Sequence, residues 1–252
     1  VGLNASTYIQ NYEYSRIAIE MALGRGGDQV VIKNGNNITY YGGKTQQMEK
    51  NTRVKARVKA QALKEFMSTK DRVVVMGHKI TDVDALGAAI GIFRAGKTLG
   101  KSVSIVVNDP TKSIRPLIAG YVNNPDYEQS MFVDSSQAKD MVDNNTVVVV
   151  VDTNRPSYTE CEELLHMTKT IVVLDHHRRG SEVIENAVLS YVEPYASSAC
   201  EMVAEILQYF SDDLRIRNME ADCLYAGIMI DTNNFTTRAG VRTFEAAAFL
   251  RR

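Results

Sequence analysis

Five short aliphatic runs, at 72–76, 102–107, 131–133, 146–151 and 170–174, alternate with stretches patterned as helix, such as 85–99 and 135–142. The run Val147-Val148-Val149-Val150-Val151 offers no polar residue to either face, so both faces must be covered. β-Branched runs of this length alternating with helices imply a parallel sheet flanked by helices on both sides, a doubly wound α/β domain. Ligands of such sheets bind beyond the carboxyl ends of the strands, and the polar residues placed there carry the functional argument.

Those positions are unusually rich in acids and imidazoles. The first run leads into His78, Asp82 and Asp84, the fourth into Asp152, the fifth into Asp175-His176-His177, and a helix over 224–230 ends in Asp231. A single Asp after a strand is more often a helix cap or turn residue, and a single His is more often a hydrogen-bonded structural group. The set argues otherwise: of four histidines in the chain, three sit at strand ends beside carboxylates and only His166 lies in an ordinary helical context. Carboxylates with imidazoles and no thiolate suit Mn(II) or another borderline-hard divalent ion and fit structural zinc poorly. Five or more such ligands exceed what one ion needs. Two ions sharing a carboxylate would activate water and stabilise a leaving phosphoryl oxygen, while neutralising carboxylates that would otherwise repel one another.

The rest of the chain is less informative. A helix over 12–23, a strand over 28–33 and a hairpin through Gly35-Asn36-Asn37 to 38–41 make a unit too small to fold alone. Residues 45–68 form a helix without Pro or Gly, whose run of Lys50, Arg53, Lys55, Arg57 and Lys59 reads as a solvated face and not as a nucleic-acid or membrane contact. The 29 basic and 30 acidic residues leave a charge of -1, so long nucleic acid finds no polycationic field. Three scattered cysteines argue against a disulfide framework and fit a reducing cytoplasm, and no apolar run is long enough to span a membrane. The chain begins without Met and stops at Phe249-Leu250-Arg251-Arg252 inside a helix pattern without a stop signal, which leads us to expect a longer protein.

The segments GHKITDVDA, VVVVVDTN, LDHH and GIMIDTNNF, in this order, resemble the four metal motifs of the DHH phosphoesterase superfamily over residues 71–252. DHHRRG with EPYASSACEM, and upstream ALGRGGDQVVIK and YYGGKTQQMEKNTRVKARVKA, are similar to the GdpP/YybT family of membrane-anchored cyclic-di-AMP phosphodiesterases of Gram-positive bacteria. The resemblance implies a tail of a degenerate GGDEF-like domain at 1–43, a linker helix at 44–70 and a DHH domain at 71–252, with a DHHA1 domain absent from this chain. Gly26-Gly27-Asp28-Gln29 follows a helix and opens a strand, so it matches the end of a GGDEF domain and implies no cyclase activity.

By motif, one Mn2+ would be held by His78, Asp82 and Asp152, and a second by Asp84, Asp152, His176 and Asp231, with Asp152 bridging. Asp175 would orient His176, His177 would face the reacting phosphate, Arg178 and Arg179 would clamp phosphate, and Ser197 and Ser198 would bind it through hydroxyl and amide groups. The implied function is hydrolysis of cyclic-di-AMP to linear 5'-pApA at the cytoplasmic face of the membrane, this chain making no membrane contact itself. A homodimer is left open. Three alternatives stand beside it: a nanoRNase or short-oligonucleotide exonuclease, a pyrophosphatase with the same metal site, and a sensor that binds a nucleotide without turnover.

Overall fold

The computed structural model describes residues 1–24, 29–42 and 45–251, which divide into two compact units, Val1–Val54 and Lys55–Arg252. In the first, β1 (Gly2–Leu3), α1 (Tyr8–Gly24), β2 (Gln29–Asn34) and β3 (Asn37–Gly42) form a small sheet with one helix against it. β2 pairs antiparallel with β3 through a turn in which Gly35 takes φ +56°, the left-handed conformation a tight hairpin needs. The expected strand start at Asp28, with Gly26 and Gly27 before it, lies outside the described residues, as do the boundary residues Gly43 and Lys44.

The division between the units falls inside α2 (Thr45–Ser68). Its second half is not the solvated helix that the basic run suggests. Ala56, Ala60, Leu63 and Met67 recur at helical spacing and are fully buried. Lysines flank that stripe: Lys55 pairs with Glu193 at 3.0 Å and Lys59 donates to the Ser190 carbonyl at 3.2 Å.

The second unit continues as β4 (Arg72–Met76), α3 (Val83–Thr98), β5 (Ser102–Val106), α4 (Arg115–Val122), β6 (Phe132–Val133), α5 (Ser135–Met141), β7 (Thr146–Val151), α6 (Leu164–Met167), β8 (Thr170–Asp175), β9 (Leu189–Val192), α7 (Ala199–Phe210), α8 (Asn218–Asp231) and α9 (Val241–Leu250). The sheet is wholly parallel in the order β6-β5-β4-β7-β8-β9. Val73, Val75, Val147, Val149 and Val172 face a core shared with α2, α3, α7 and α8, while Val74, Met76, Val148, Val150 and Ile171 face a second core with α5 and α6. The two-faced burial that the Val-rich runs require is therefore met from both sides.

Three elements lie outside the aliphatic runs. β9 has the alternating burial of a half-covered edge strand. α4 starts with Pro116 in its first turn, and α6, which carries His166, is a single turn. More consequential for the site is the strand order. From β4 the chain works outward to β6, then returns to β7 on the other side of β4, so the order reverses between β4 and β7 and opens a crevice at their carboxyl ends.

Candidate metal centre

Strands β4, β7 and β8 lead into His78, Asp152 and Asp175-His176-His177 at that crevice, and helices α3 and α8 add Asp82, Asp84 and Asp231. His78 follows β4 and is tethered by a bridge to Thr159. Asp82 caps α3, its Oδ1 accepting from Ala85 N at 3.0 Å, while its Oδ2 lies 3.6 Å from His78 Nε2. One oxygen of Asp82 thus serves as the helix cap while the other faces His78. Asp84, buried in the first turn of α3, accepts from the amides of Ala199 at 2.7 Å and Cys200 at 2.9 Å. Those are free N–H groups at the start of α7, where the helix end favours an anion.

Asp152 follows β7 with φ +58°, a left-handed conformation uncommon outside glycine. This turn buries the carboxylate at 3% exposure between the imidazoles. Its Oδ2 lies 3.5 Å from His78 Nε2, and its Oδ1 lies 3.1 Å from His176 Nε2 and 3.5 Å from His177 Nδ1 without a hydrogen-bond partner. Asp231, the last residue of α8, comes within 3.5 Å of His176 Nε2, which is also 3.7 Å from Asp84 Oδ2. The tertiary fold brings all six residues expected as ligands together.

Three overlapping triads result, each with its ligand atoms within 4.8 Å of one another: His78, Asp82 and Asp152; Asp84, His176 and Asp231; and Asp152, His176 and His177. The clustered groups shift one another's titration. Burial, with Asp152 and Asp231 beside it, pushes the Asp84 carboxyl up to about 8. Burial also raises Asp231. Hydrogen bonding to Asp152 and Asp82 lifts His78 to about 10. Burial acts to lower His176, but Asp152 prevails and carries it to about 9. Burial likewise acts to raise Asp152, and the imidazoles around it outweigh that and hold it low. Protons thus do part of the neutralising that a divalent cation would do. The orphaned Asp152 Oδ1 and a donor set of carboxylates and imidazoles both fit such cations.

Asp175 corrects one expectation. Its Oδ1 accepts from the backbone N–H of His177 at 3.1 Å and lies 2.8 Å from His177 Nδ1, so it orients His177 and not His176. Asn154, which the sequence reading passed over, holds the other oxygen of Asp175 and also donates to the His177 carbonyl at 3.4 Å. The signal was there in principle: a side-chain amide two residues past a strand-end Asp, on a strand with no polar face to solvate it.

Ser197 and Ser198 are a second correction. Both are buried; Ser198 caps α7 by accepting from Glu201 N at 3.0 Å, and the Ser197 hydroxyl donates to Glu201 Oε2 at 2.5 Å. A helix start rich in hydroxyls satisfied its own amides and a buried carboxylate, leaving neither hydroxyl exposed for phosphate. Arg178 and Arg179 are exposed after β8, with Arg179 donating to Ser190 Oγ at 3.1 Å. His166 lies exposed in α6, apart from the triads.

Residues 72–228 match the family described as DHH family, N-terminal domain. Cyclic-di-AMP phosphodiesterase GdpP of Bacillus subtilis (strain 168) is 44% identical over 255 residues, an alignment covering 100% of this chain and 38% of that protein. A probable bifunctional oligoribonuclease and PAP phosphatase NrnA of Streptococcus mutans is 30% identical over 166 residues, covering 66% of this chain and 47% of the relative. Among solved structures, an exopolyphosphatase-related protein from Bacteroides fragilis superposes with a TM-score of 0.64 at 18% identity, covering 77% of this chain and 56% of that one. This likeness concerns the fold. Among the described residues no helix is long and apolar enough to cross a membrane. With its parallel sheet, its crevice of clustered acids and imidazoles and the match over 72–228, the chain belongs to the DHH family.

Proposed function

We propose that this chain carries the catalytic metal centre of a phosphodiesterase that opens cyclic-di-AMP to linear 5'-pApA. The observation that carries the reading is Asp152, whose two oxygens face separate ligand sets, one of them left without a hydrogen bond. His78, Asp82 and Asp152 would hold one Mn2+, and Asp84, Asp152, His176 and Asp231 the other. Bound there, the ions would lower the pKa of a coordinated water and offset charge on the transferring phosphoryl group.

The chain's own groups complete the chemistry. Asp175 fixes His177 through Nδ1, which leaves Nε2 of a half-exposed ring free to face the phosphate. Hydrogen bonding to Asp175 raises the His177 pKa, a direction that suits a ring serving as proton donor to the departing ribose 3'-oxygen. Arg178 and Arg179, exposed beside it, offer guanidinium forks to phosphate oxygens.

The substrate choice rests on the 44% identity to a protein named for cyclic-di-AMP, although the chain spans 38% of that protein's length. By the same similarity we place residues 1–43 as the tail of a GGDEF-like domain, 44–70 as a linker helix and 71–252 as the DHH domain, acting at the cytoplasmic face of the membrane. The similarity to NrnA supports short oligonucleotides as the second reading. Turnover of cyclic-di-AMP, cyclic-di-GMP, pApA, pyrophosphate and a short oligoribonucleotide with Mn2+ separates the two. Preference for cyclic-di-AMP is expected; preference for the oligonucleotide would replace this reading with the second.

A further inference from the structure

Asp84 and Asp231 belong to different helices, α3 and α8, and their meeting around His176 depends on how closely those helices approach. The approach is set by glycine. A Cβ added at Gly227, one turn before Asp231 on α8, would collide with Cys200 Sγ and stand 3.0 Å from both Cα and Oδ1 of Asp84. Across the joint, a Cβ at Gly87 on α3 would stand 2.6 Å from Cys200 Sγ and 2.7 Å from the Cys223 carbonyl. The fully buried Cys200 thiol fills the junction and donates to the Asp84 carbonyl at 3.2 Å. Contacts this short leave no slack, since a core at crystal-like density answers an added methyl by moving helices.

We infer that Gly227 is a positioning residue for the second metal half-site: its missing side chain lets α8 rest on Asp84, which brings Asp231, Asp84 and His176 into one triad. The inference rests on the two-ion reading above. The other half-site draws its residues from the ends of β4 and β7 and from the cap of α3, and takes none from α8. Displacing α8 should therefore weaken one ion and spare the other.

Gly91 supplies the control. It is one turn past Gly87 on α3, and a Cβ there would press on Val203 Cγ1 of α7 at 2.5 Å and meet α8 only at the end of the Leu224 side chain, at 3.2 Å, a comparable packing insult directed at α7 and away from the backbone of α8 and the carboxylates. The experiment is calorimetric titration of the metal-free chain with Mn2+, run beside thermal unfolding in chelator. Wild type should bind two ions; a single ion would overturn the two-ion reading and the inference with it. Gly227→Ala should weaken one ion by tenfold or more and leave the other within about threefold of wild type. Gly91→Ala should lose stability yet keep both ions. Cys200→Ala should keep both, and adding it to Gly227→Ala, which removes the nearest obstacle, should recover part of the lost affinity. That double variant also decides the question if Gly227→Ala alone does not fold. Loss of both ions together, loss of the second ion in Gly91→Ala, or a double variant that recovers nothing over Gly227→Ala would each overturn the positioning role; if Gly227→Ala alone does not fold, a double variant with no defect relative to Cys200→Ala would overturn it.

Discussion

Asp152 reaches the crevice from a left-handed backbone, and that conformation turns its carboxylate inward among three imidazoles. Asn tolerates the same conformation, so Asp152→Asn should fold while losing the oxygen charge that both ion sites share. Turnover should be abolished. Arg178→Ala removes one exposed charge-assisted contact worth about 1.5–3 kcal/mol and should cost roughly ten- to a hundredfold. His166→Ala should change neither metal content nor rate, since that exposed ring is outside the triads. Rates and metal analysis of the three variants side by side check the ranking; near-normal rate and two ions in Asp152→Asn would refute it. Asp175→Asn separates the two roles considered for Asp175. Because its carboxylate holds His177, the variant should keep both ions and lose about ten- to a hundredfold in rate. Loss of metal instead would return Asp175 to the support of His176.

Among the elements, the strands were the most legible. A run such as Thr146–Val151, apolar on both faces, has few alternatives to an inner parallel strand, and its carboxyl end points at once to Asp152. The clustering of His78, Asp152 and His176 was legible for the same reason, since strand ends in this topology share one edge, whereas Asp231 arrives from the end of α8. The partner of Asp175 was not, because sequence neighbours place His176 and His177 equally near it and only the turn geometry chooses. Nor was the inner stripe of α2: alanines contribute little to a hydrophobic pattern, and the basic residues between them dominate its appearance. That stripe is testable. Ala60→Glu would bury an unpaired carboxylate in the sheet core and should cost about 3 kcal/mol or more, whereas Val58→Glu, at a position 60% exposed, should stay within about 0.5 kcal/mol. Equal, small effects on denaturant midpoint would return α2 to the solvated helix the sequence suggests.

Across the whole molecule, the metal-free site stores protons, and stability must follow pH accordingly. Asp84, raised from 3.8 to about 8, His176, from 6.5 to about 9, and His78, from 6.5 to about 10, all bind protons more tightly in the folded state. Between those limits the folded chain holds more protons than the unfolded one, so stability falls as pH rises. In chelator the melting temperature should drop between pH 7 and pH 10, by about 5 °C or more for a chain of this size. A melting temperature that rises over that range would mean the cluster is not protonated as described. Metal binding should in turn release protons near neutral pH.

The central claim is that two cations sit on either side of Asp152, and anomalous diffraction from crystals of this chain grown with Mn2+ tests it most directly. The expected map has two peaks about 3.5–4 Å apart, one among His78, Asp82 and Asp152 and the other among Asp84, Asp152, His176 and Asp231. A single peak, or two peaks that do not share Asp152, would contradict it.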